Sequence, residues 1–450
     1  MDSTPSSPLA SALPAIDVSI ARSPQTRPAT SARLVIPSTF WIIALALIAT
    51  AIKMAIALNT FGTNDVAAFY TFARSLTDHG LEWTYQNGVV WFSGPVFNHP
   101  PLTAYYLQFI SYLSHQEIFH SSGITFPFLL RLPGIIADFV VVLVLLRLTE
   151  KSDRLRIPTW ALALFAISPV SLMVSGFHGN TDPVVVMFLV LAAYMCLREQ
   201  PVLCGIFFSL SCQIKIIPLL LLPIIFFFWL ARGVARRFAI PFMLLSLAMW
   251  AQPLIQFPTL FLRNVLSYSS FWGGWGITYW LRLTQWRQFD GARFFQLPPA
   301  AAATEVLLKV GIVVAVLVIA WRRRYLPGRA VIDSIAYAWL VFFIFAPGIS
   351  AQYMVWLAPF VLMLSPSLFG WFVVTSSIFL FVFYNTIAGG LPWYIAISTK
   401  QLDRLNLWTP WSLWPWATLI VGMILLWKNA TAADSSLRLF SFKTLRAESA

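Results

Sequence analysis

Thr39-Phe40-Trp41-Ile42-Ile43-Ala44-Leu45-Ala46-Leu47-Ile48-Ala49-Thr50-Ala51-Ile52-Lys53-Met54-Ala55-Ile56-Ala57-Leu58 is an almost unbroken apolar run. A helix of about 20 residues is long enough to cross ~30 Å of hydrocarbon, so this run predicts a transmembrane helix. The chain then turns polar in Asn59-Thr60-Phe61-Gly62-Thr63-Asn64-Asp65. Apolar runs recur along most of the 450 residues, which are 59% hydrophobic and 10% charged. A soluble domain carries about 25% charged residues. The composition therefore excludes a soluble enzyme on a single anchor and predicts an all-α, polytopic membrane protein.

The net charge of +13 resembles a nucleic-acid footprint until its distribution is followed. Arg and Lys fall in short clusters between apolar runs, which is how membrane proteins set their orientation, so no nucleic-acid partner is expected. Residues 1–36 are rich in Ser, Pro, Ala and Thr and lack the apolar core of a signal peptide, so they read as a disordered cytoplasmic tail. From there the charges predict about twelve spans, with both termini cytoplasmic. The spans cover 39–58, 127–148, 158–177, 183–197, 202–213, 216–231, 238–255, 301–321, 331–345, 353–364, 368–388 and 408–427. Residues 37–430 form the membrane domain and 431–450 a second cytoplasmic tail. The apolar stretch from Leu102 to Leu113 is too short to cross and is placed as an interfacial helix in a long first external loop. Were it to cross, the cluster Arg147, Lys151, Arg154 and Arg156 would land outside. Cys196, Cys204 and Cys212 lie in apolar segments and read as packing residues.

Under this topology all five histidines and the acids Asp65, Asp78, Glu82, Glu117, Asp182, Asp290 and Asp403 face the outside. Groups suited to acid–base work thus concentrate on one face. Asp65 leads them: a carboxylate at the membrane rim can deprotonate an acceptor hydroxyl without a metal. Asn64-Asp65 also reads as the cap of a helix over Val66–Leu76. His99-Pro100-Pro101 makes a rigid turn that stiffens the same loop, with His99 free to meet a phosphate or sugar hydroxyl. The tight turn Phe177-His178-Gly179-Asn180-Thr181-Asp182-Pro183 adds His178 and Asp182, the latter also a helix cap. In the second external loop Arg263, Arg282, Arg287 and Arg293 lie among Trp272, Trp275, Tyr279, Trp280 and Trp286, a set suited to a lipid phosphate and a sugar ring or to interfacial anchoring. Arg282 and Trp275 are the pick of that cluster. Arg131 and Asp138, seven residues apart, share one helix face, where Asp138 reads as an ion-pair partner within the bundle. Lys215 either reaches lipid phosphate or snorkels. No Cys/His metal spacing is present and no cofactor is indicated, with a divalent cation left open.

Several of these residues resemble the GT-C superfamily of polyprenyl-phosphate-sugar glycosyltransferases. Pro100-Pro101-Leu102-Thr103-Ala104-Tyr105, Arg131 with Ile136-Ala137-Asp138, the His178-Gly179 turn and Lys215 are similar to segments of the dolichyl-phosphate-glucose glucosyltransferases. His99-Pro100-Pro101-Leu102 and Arg131-Leu132-Pro133 also resemble the bacterial protein mannosyltransferase-like and lipid A aminoarabinose-transferase-like branches. The resemblance implies inverting transfer of a hexose, by a mannosyl- or glucosyltransferase of cell-envelope glycosylation, with Asp65 as base. Its partners would be a polyprenyl-phosphate sugar donor, a glycan, lipid or protein acceptor, and membrane lipids. Asn64, His99, Pro100, Lys215, Arg263, Arg282 and Trp275 would bind substrate, with His178 and Asp182 as further catalytic candidates, the first for the departing phosphate and the second as an alternative base. The short tail and few cysteines suit a bacterial cytoplasmic membrane. The alternatives are a transporter or flippase for a lipid-linked glycan, whose ionisable groups should lie at midplane on repeated halves, and a non-catalytic polyprenyl-phosphate-binding relative.

Overall fold

The computed structural model describes residues 38–87, 97–151, 157–266, 273–284, 299–396 and 405–428. These form an all-α, multi-pass membrane protein. In chain order the helices are α1 (Ser38–Asn59), α2 (Asn64–Asn87), α3 (Pro101–Ser114), α4 (Glu117–Ser121), α5 (Phe126–Lys151), α6 (Thr159–Ala166) and α7 (Pro169–Ser171). A π-helical turn, Leu172–His178, leads into α8 (Asp182–Leu197) and α9 (Pro201–Ile214). Next come α10 (Leu222–Ala231), α11 (Ala235–Gln256), α12 (Pro258–Leu266), α13 (Gly276–Thr284), α14 (Pro299–Arg323) and α15 (Arg329–Phe345). The described chain closes with α16 (Met354–Leu364), α17 (Pro366–Ala388), α18 (Leu405–Trp408) and the apolar stretch Thr409–Lys428.

Among the described residues seven helices are long and apolar enough to cross a membrane, and four shorter apolar ones lie between them. Each expected span coincides with helix, but 182–197, 201–214, 217–231 and 351–364 are 10–17 residues long. The span expected over 158–177 is broken at Ser168-Pro169, where proline interrupts the hydrogen-bond ladder. The Leu102–Leu113 stretch is helical, as α3, and is absent from the helices able to cross. Pro101 stands at its first turn, where the missing N–H has no helical partner to lose.

Packing distinguishes two kinds of helix. In α16 every residue from Met354 to Met363 is buried, making it the axis of the bundle. In α14 only 11% of the most apolar window is buried, and Val306, Leu307, Val310 and Val314 point outward. An apolar exterior is what lipid contact requires. The main core gathers side chains from both halves of the bundle, including Phe177, Trp229, Trp339, Trp356 and Tyr384. A second cluster joins α2 and α3 to α5 through Val66, Phe69, Leu76, Tyr85, Leu107 and Leu130. The segment between α1 and α5 is thus packed against the bundle, and its residues are held in place.

Candidate functional site

Two turns meet at one end of the bundle and build the site. After α1 the backbone extends through Gly62–Thr63 (β1), which pairs in parallel with Ile395–Ala396 (β2). The Phe61 and Gly62 amides donate to the Tyr394 carbonyl at 2.8 and 3.2 Å. Gly62 has φ +104°, and a Cβ there would stand 2.8 Å from the Phe177 carbonyl oxygen. Opposite it, Gly179 has φ +81° and would drive a Cβ to 2.2 Å from Val66. Only glycine lets both backbones take these conformations at such close range. The Thr63 hydroxyl then donates to the His178 carbonyl at 2.7 Å. A π-turn ending in His178 fits the tendency of such turns to sit at functional sites.

Arg131 fastens this junction from inside. Its guanidinium donates to the carbonyls of Pro127, Ala57, Thr60, Phe61, Gly176 and Phe177 and to the Thr60 hydroxyl, over 2.5–3.3 Å. The Ala57 carbonyl is one that the end of a helix leaves without an internal partner. Asp138, on the same helix, is not its partner. Asp138 Oδ2 instead accepts from Lys53 Nζ at 2.6 Å and from the Ser171 and Ser175 hydroxyls at 2.6 and 2.5 Å. The ion pair expected of Asp138 is therefore made with α1.

Asp65, in the first turn of α2, is held through one oxygen. Its Oδ2 accepts from His178 Nε2 at 3.0 Å, from the Asn180 amide, and from Gln352 Nε2 at 3.2 Å. The Tyr384 hydroxyl lies 2.9 Å from His178 Nδ1. The two ring nitrogens of His178 thus bridge the Asp65 carboxylate and the Tyr384 hydroxyl, which fixes the imidazole. Burial alone would raise the Asp65 carboxyl; the His178 and Lys215 charges, with the bonds from His178 and Asn180, outweigh it and hold the group below its ordinary value. The Asp65 side chain nonetheless keeps 34% of its surface accessible, against 6% for His178.

Behind it lies a sealed ion pair. Lys215 Nζ donates to both oxygens of Asp182 at 2.8 and 3.0 Å, and Trp356 Nε1 donates to Oδ1 at 2.5 Å. The two charged side chains are 2% and 0% exposed. Tyr353 and Trp356 place ring faces 5.3 and 5.7 Å from the ammonium. Lys215 ends α9 in an extended conformation, which turns its side chain back into the bundle.

The His99-Pro100-Pro101 turn forms another wall. The Tyr85 hydroxyl donates to the His99 carbonyl at 2.6 Å, and the Thr103 hydroxyl donates to the Ile214 carbonyl at 3.0 Å. These bonds tie the turn to α2 and to the end of α9 beside Lys215. The His99 ring packs 5.2 Å from Phe69, one turn beyond Asp65. Burial pushes its pKa down to about 3, with Lys215 acting in the same direction, so it is neutral at physiological pH.

The structure thus brings together Asn64, Asp65, His99, Pro100, His178, Asp182 and Lys215. Trp275 and Arg282 lie elsewhere: the Trp275 indole donates to the Phe343 carbonyl at 2.6 Å, and Arg282 donates to the Thr409 hydroxyl at 3.0 Å and packs on Gly273. Arg263 is exposed on α12. Trp272, Trp286, Arg287, Asp290, Arg293 and Asp403 fall outside the described residues. Sequence reasoning missed Asn180, Gln352, Tyr384 and the anchoring use of Arg131. Asn180 was visible within the His178–Asp182 turn, and Gln352 as the polar residue in the break before α16. Tyr384, inside an apolar span, carried no signal. Among the described residues no three His, Cys, Asp or Glu side chains gather as a metal site would need.

Among known families, the family model described as "GPI transamidase subunit PIG-U" matches residues 35–288, more than half of the chain. No curated protein matches the chain. The family match overturns the resemblance to GT-C glycosyltransferases, and with it the expected hexose transfer, the mannosyl- or glucosyltransferase class and the role in cell-envelope glycosylation. It also removes the polyprenyl-phosphate sugar donor and the glycan acceptor as partners, and neither the flippase nor the polyprenyl-phosphate-binding alternative agrees with it. The physical reason is that the motifs used describe architecture. An acid after the first span, a Pro-Pro turn and an Arg that satisfies helix-end carbonyls build a polar cluster at the end of α1, and such a cluster is compatible with more than one chemistry.

Proposed function

We propose, from the premise that this chain belongs to the PIG-U family of GPI transamidase subunits, that it works as a multi-spanning subunit of such a complex and uses the polar cluster around Asp65 to hold the polar head of the GPI glycolipid. The membrane would then be that of the endoplasmic reticulum. The expected bacterial inner membrane gives way with the family that suggested it. The match over residues 35–288 carries the reading, because that segment contains Asn64, Asp65, His99, His178, Asn180, Asp182 and Lys215. The accessible third of Asp65 supports it: a carboxylate made only to hold helices together would be closed over. Polar groups at a helix end, flanked by lipid-facing helices, suit a molecule with a wet head and apolar tails.

The test is reconstitution in cells lacking the chain's counterpart. Tagged full-length protein should co-purify with the remaining transamidase subunits and restore attachment of a reporter to GPI. Asp65→Asn should still co-purify while reporter attachment falls at least tenfold. A chain that purifies alone and leaves anchoring unrestored would overturn the subunit reading.

A further inference from the structure

The end of the α8–α9 hairpin away from the Asp182–Lys215 pair carries charge that neither the core nor the Asp65 cluster uses. Arg198 stands in the turn between α8 and α9, and Arg232, Arg236 and Arg237 stand where α10 passes into α11. Arg322, Arg323, Arg324 and Arg329 flank the turn between α14 and α15. The three turns meet. Arg232 Nη2 donates to the Leu326 carbonyl at 3.0 Å, and a Cβ on Gly328 would stand 3.3 Å from the Leu197 side chain. Against these arginines, the described residues of the three turns and the start of α15 hold the acids Glu199 and Asp333.

Part of this charge is met within the chain. Arg323 and Arg329 each reach Asp333 at 3.8 Å, and Arg323 Nε donates to the Ser334 hydroxyl at 2.9 Å. Arg198, Arg236, Arg237 and Arg322 are exposed and make no ion pair among the described residues. Arg324 sets its guanidinium 3.5 Å from the centre of the Trp321 ring and 4.4 Å from that of Tyr325, and both rings are exposed. Exposed Trp and Tyr at a helix end mark the level of lipid headgroups. A signal that only orients the chain in the membrane is met by lysine as well as by arginine, yet no lysine stands in any of the three turns. What arginine adds is a planar fork that meets two oxygens of one phosphate. Unpaired guanidinium groups on adjoining turns repel one another, so an anion lying across them is stabilising.

We propose that these three turns form a receptor for the phosphomonoester of an anionic phospholipid headgroup, held by Arg236, Arg237 and Arg322, with Arg324 and its two aromatic neighbours at the edge. The phosphodiester common to all phospholipids carries one charge and is flanked by carbon on both sides. A terminal monoester carries about −1.5 to −2 charges and presents three oxygens, enough for more than one guanidinium fork. Its bound lipid would clamp the α10–α11 and α14–α15 turns together at one leaflet. This receptor is separate from the glycolipid reading. It lies at the other end of the α8–α9 hairpin from Asp182, and its α14–α15 side stands beyond the family match over residues 35–288.

The probe is dioctanoyl phosphatidylinositol 4-phosphate, compared with dioctanoyl phosphatidylinositol, which lacks only the phosphomonoester. Each is offered to the delipidated full-length chain in detergent and counted by native mass spectrometry. The phosphorylated lipid should be retained about tenfold more than its parent lipid, and the preference should shrink as salt rises. The triple variant Arg236→Gln, Arg237→Gln, Arg322→Gln should erase the preference while melting within a few degrees of the parent protein. The matching triple Arg→Lys variant keeps the charge, and with it the orientation in the membrane. It should still lose about threefold or more, because an ammonium cannot make the fork. Full retention by the lysine variant would reduce the cluster to a field of positive charge and overturn the receptor, as would equal retention of the two lipids by the parent protein. Inositol 1,4-bisphosphate, the same headgroup without tails, should compete only at about tenfold higher concentration or more. Competition at equal concentration would make the ligand a soluble anion and overturn the lipid assignment.

Discussion

Asp65 and Asp138 meet their surroundings in nearly the same way and differ in one respect that decides what each can do. Each carboxylate gathers three side-chain donors on Oδ2. For Asp138 one of the three is an ammonium, Lys53, so charge meets charge within the bundle; 17% of the side chain is accessible and the adjoining crevice is lined by Thr50, Phe139 and Phe165. For Asp65 the donors are an imidazole and two amides, and twice as much of the side chain is accessible. The nearest ammonium, Lys215, is already taken by Asp182. A carboxylate bonded to an ammonium in a membrane stabilises the fold, whereas one that no ammonium bonds directly and that is left partly open keeps an oxygen for what it meets. Two acids in one protein thus separate by the identity of a single donor.

The sharpest way to break this comparison is to remove the cation from a sealed pair. Lys215→Met leaves Asp182 wholly buried with only the Trp356 indole, and should cost about 3–5 kcal/mol, enough to abolish recovery of a monodisperse protein in detergent. Lys53→Met should be milder, about 2 kcal/mol, because Ser171 and Ser175 still donate to Asp138 and some of its surface is wet. Thermal unfolding of the two variants side by side checks the order. If Lys53→Met proved the more damaging, Asp138 would hold more of the fold together than Asp182 does.

A pH series sharpens the comparison from the other wall. The folded His99 ring takes up its proton only near 3, while in the unfolded chain it does so near 6.5. Its depressed value means that stability is complete above the unfolded value and declines as pH falls from 6.5 towards 3. At about pH 5 the loss attributable to this one ring is ~2 kcal/mol relative to neutral pH. His99→Gln should flatten that slope, measured as melting temperature against pH. An unchanged slope would show that His99 is wet enough to titrate normally.

The architecture was legible because it rests on segment length and charge placement, both written in the chain. α1, α5, α11, α14 and α17 each follow from an apolar run long enough to cross, and α3 followed from one too short to do so. The site was half legible. Asp65, His99, His178, Asp182 and Lys215 stood out as polar residues in or between apolar runs, and they do come together. The pairing among them did not stand out, because it depends on Gly62 and Gly179 letting two turns touch and on Arg131 reaching helix-end carbonyls rather than Asp138. The chemistry was least legible. Arg282 and Trp275 carry the residue types of a phosphate and sugar site, yet both are buried, with Arg282 Nη2 donating to Thr409 and the Trp275 indole to the Phe343 carbonyl. Residue type reports what a group can bind; only packing reports whether it is accessible to do so.

The smallest expected effect on stability is the most telling about function. Asp65→Asn keeps the shape and replaces a carboxylate oxygen that accepts three bonds. Because the carboxyl lies below its ordinary 3.8, whatever its ionisation adds to stability is present at neutral pH and lost only as pH drops below about 4. The exposure of the side chain screens that contribution, so the substitution should change stability by no more than about 1 kcal/mol near neutral pH. Asp138→Asn, by contrast, leaves Lys53 without its counter-charge and should be clearly destabilising. A pair of melting curves therefore separates the two acids. If both substitutions destabilise alike, Asp65 is a second fastening and its open oxygen has no recognition role. If Asp65→Asn melts like the parent while reporter attachment to GPI fails, the carboxylate is kept for what it binds.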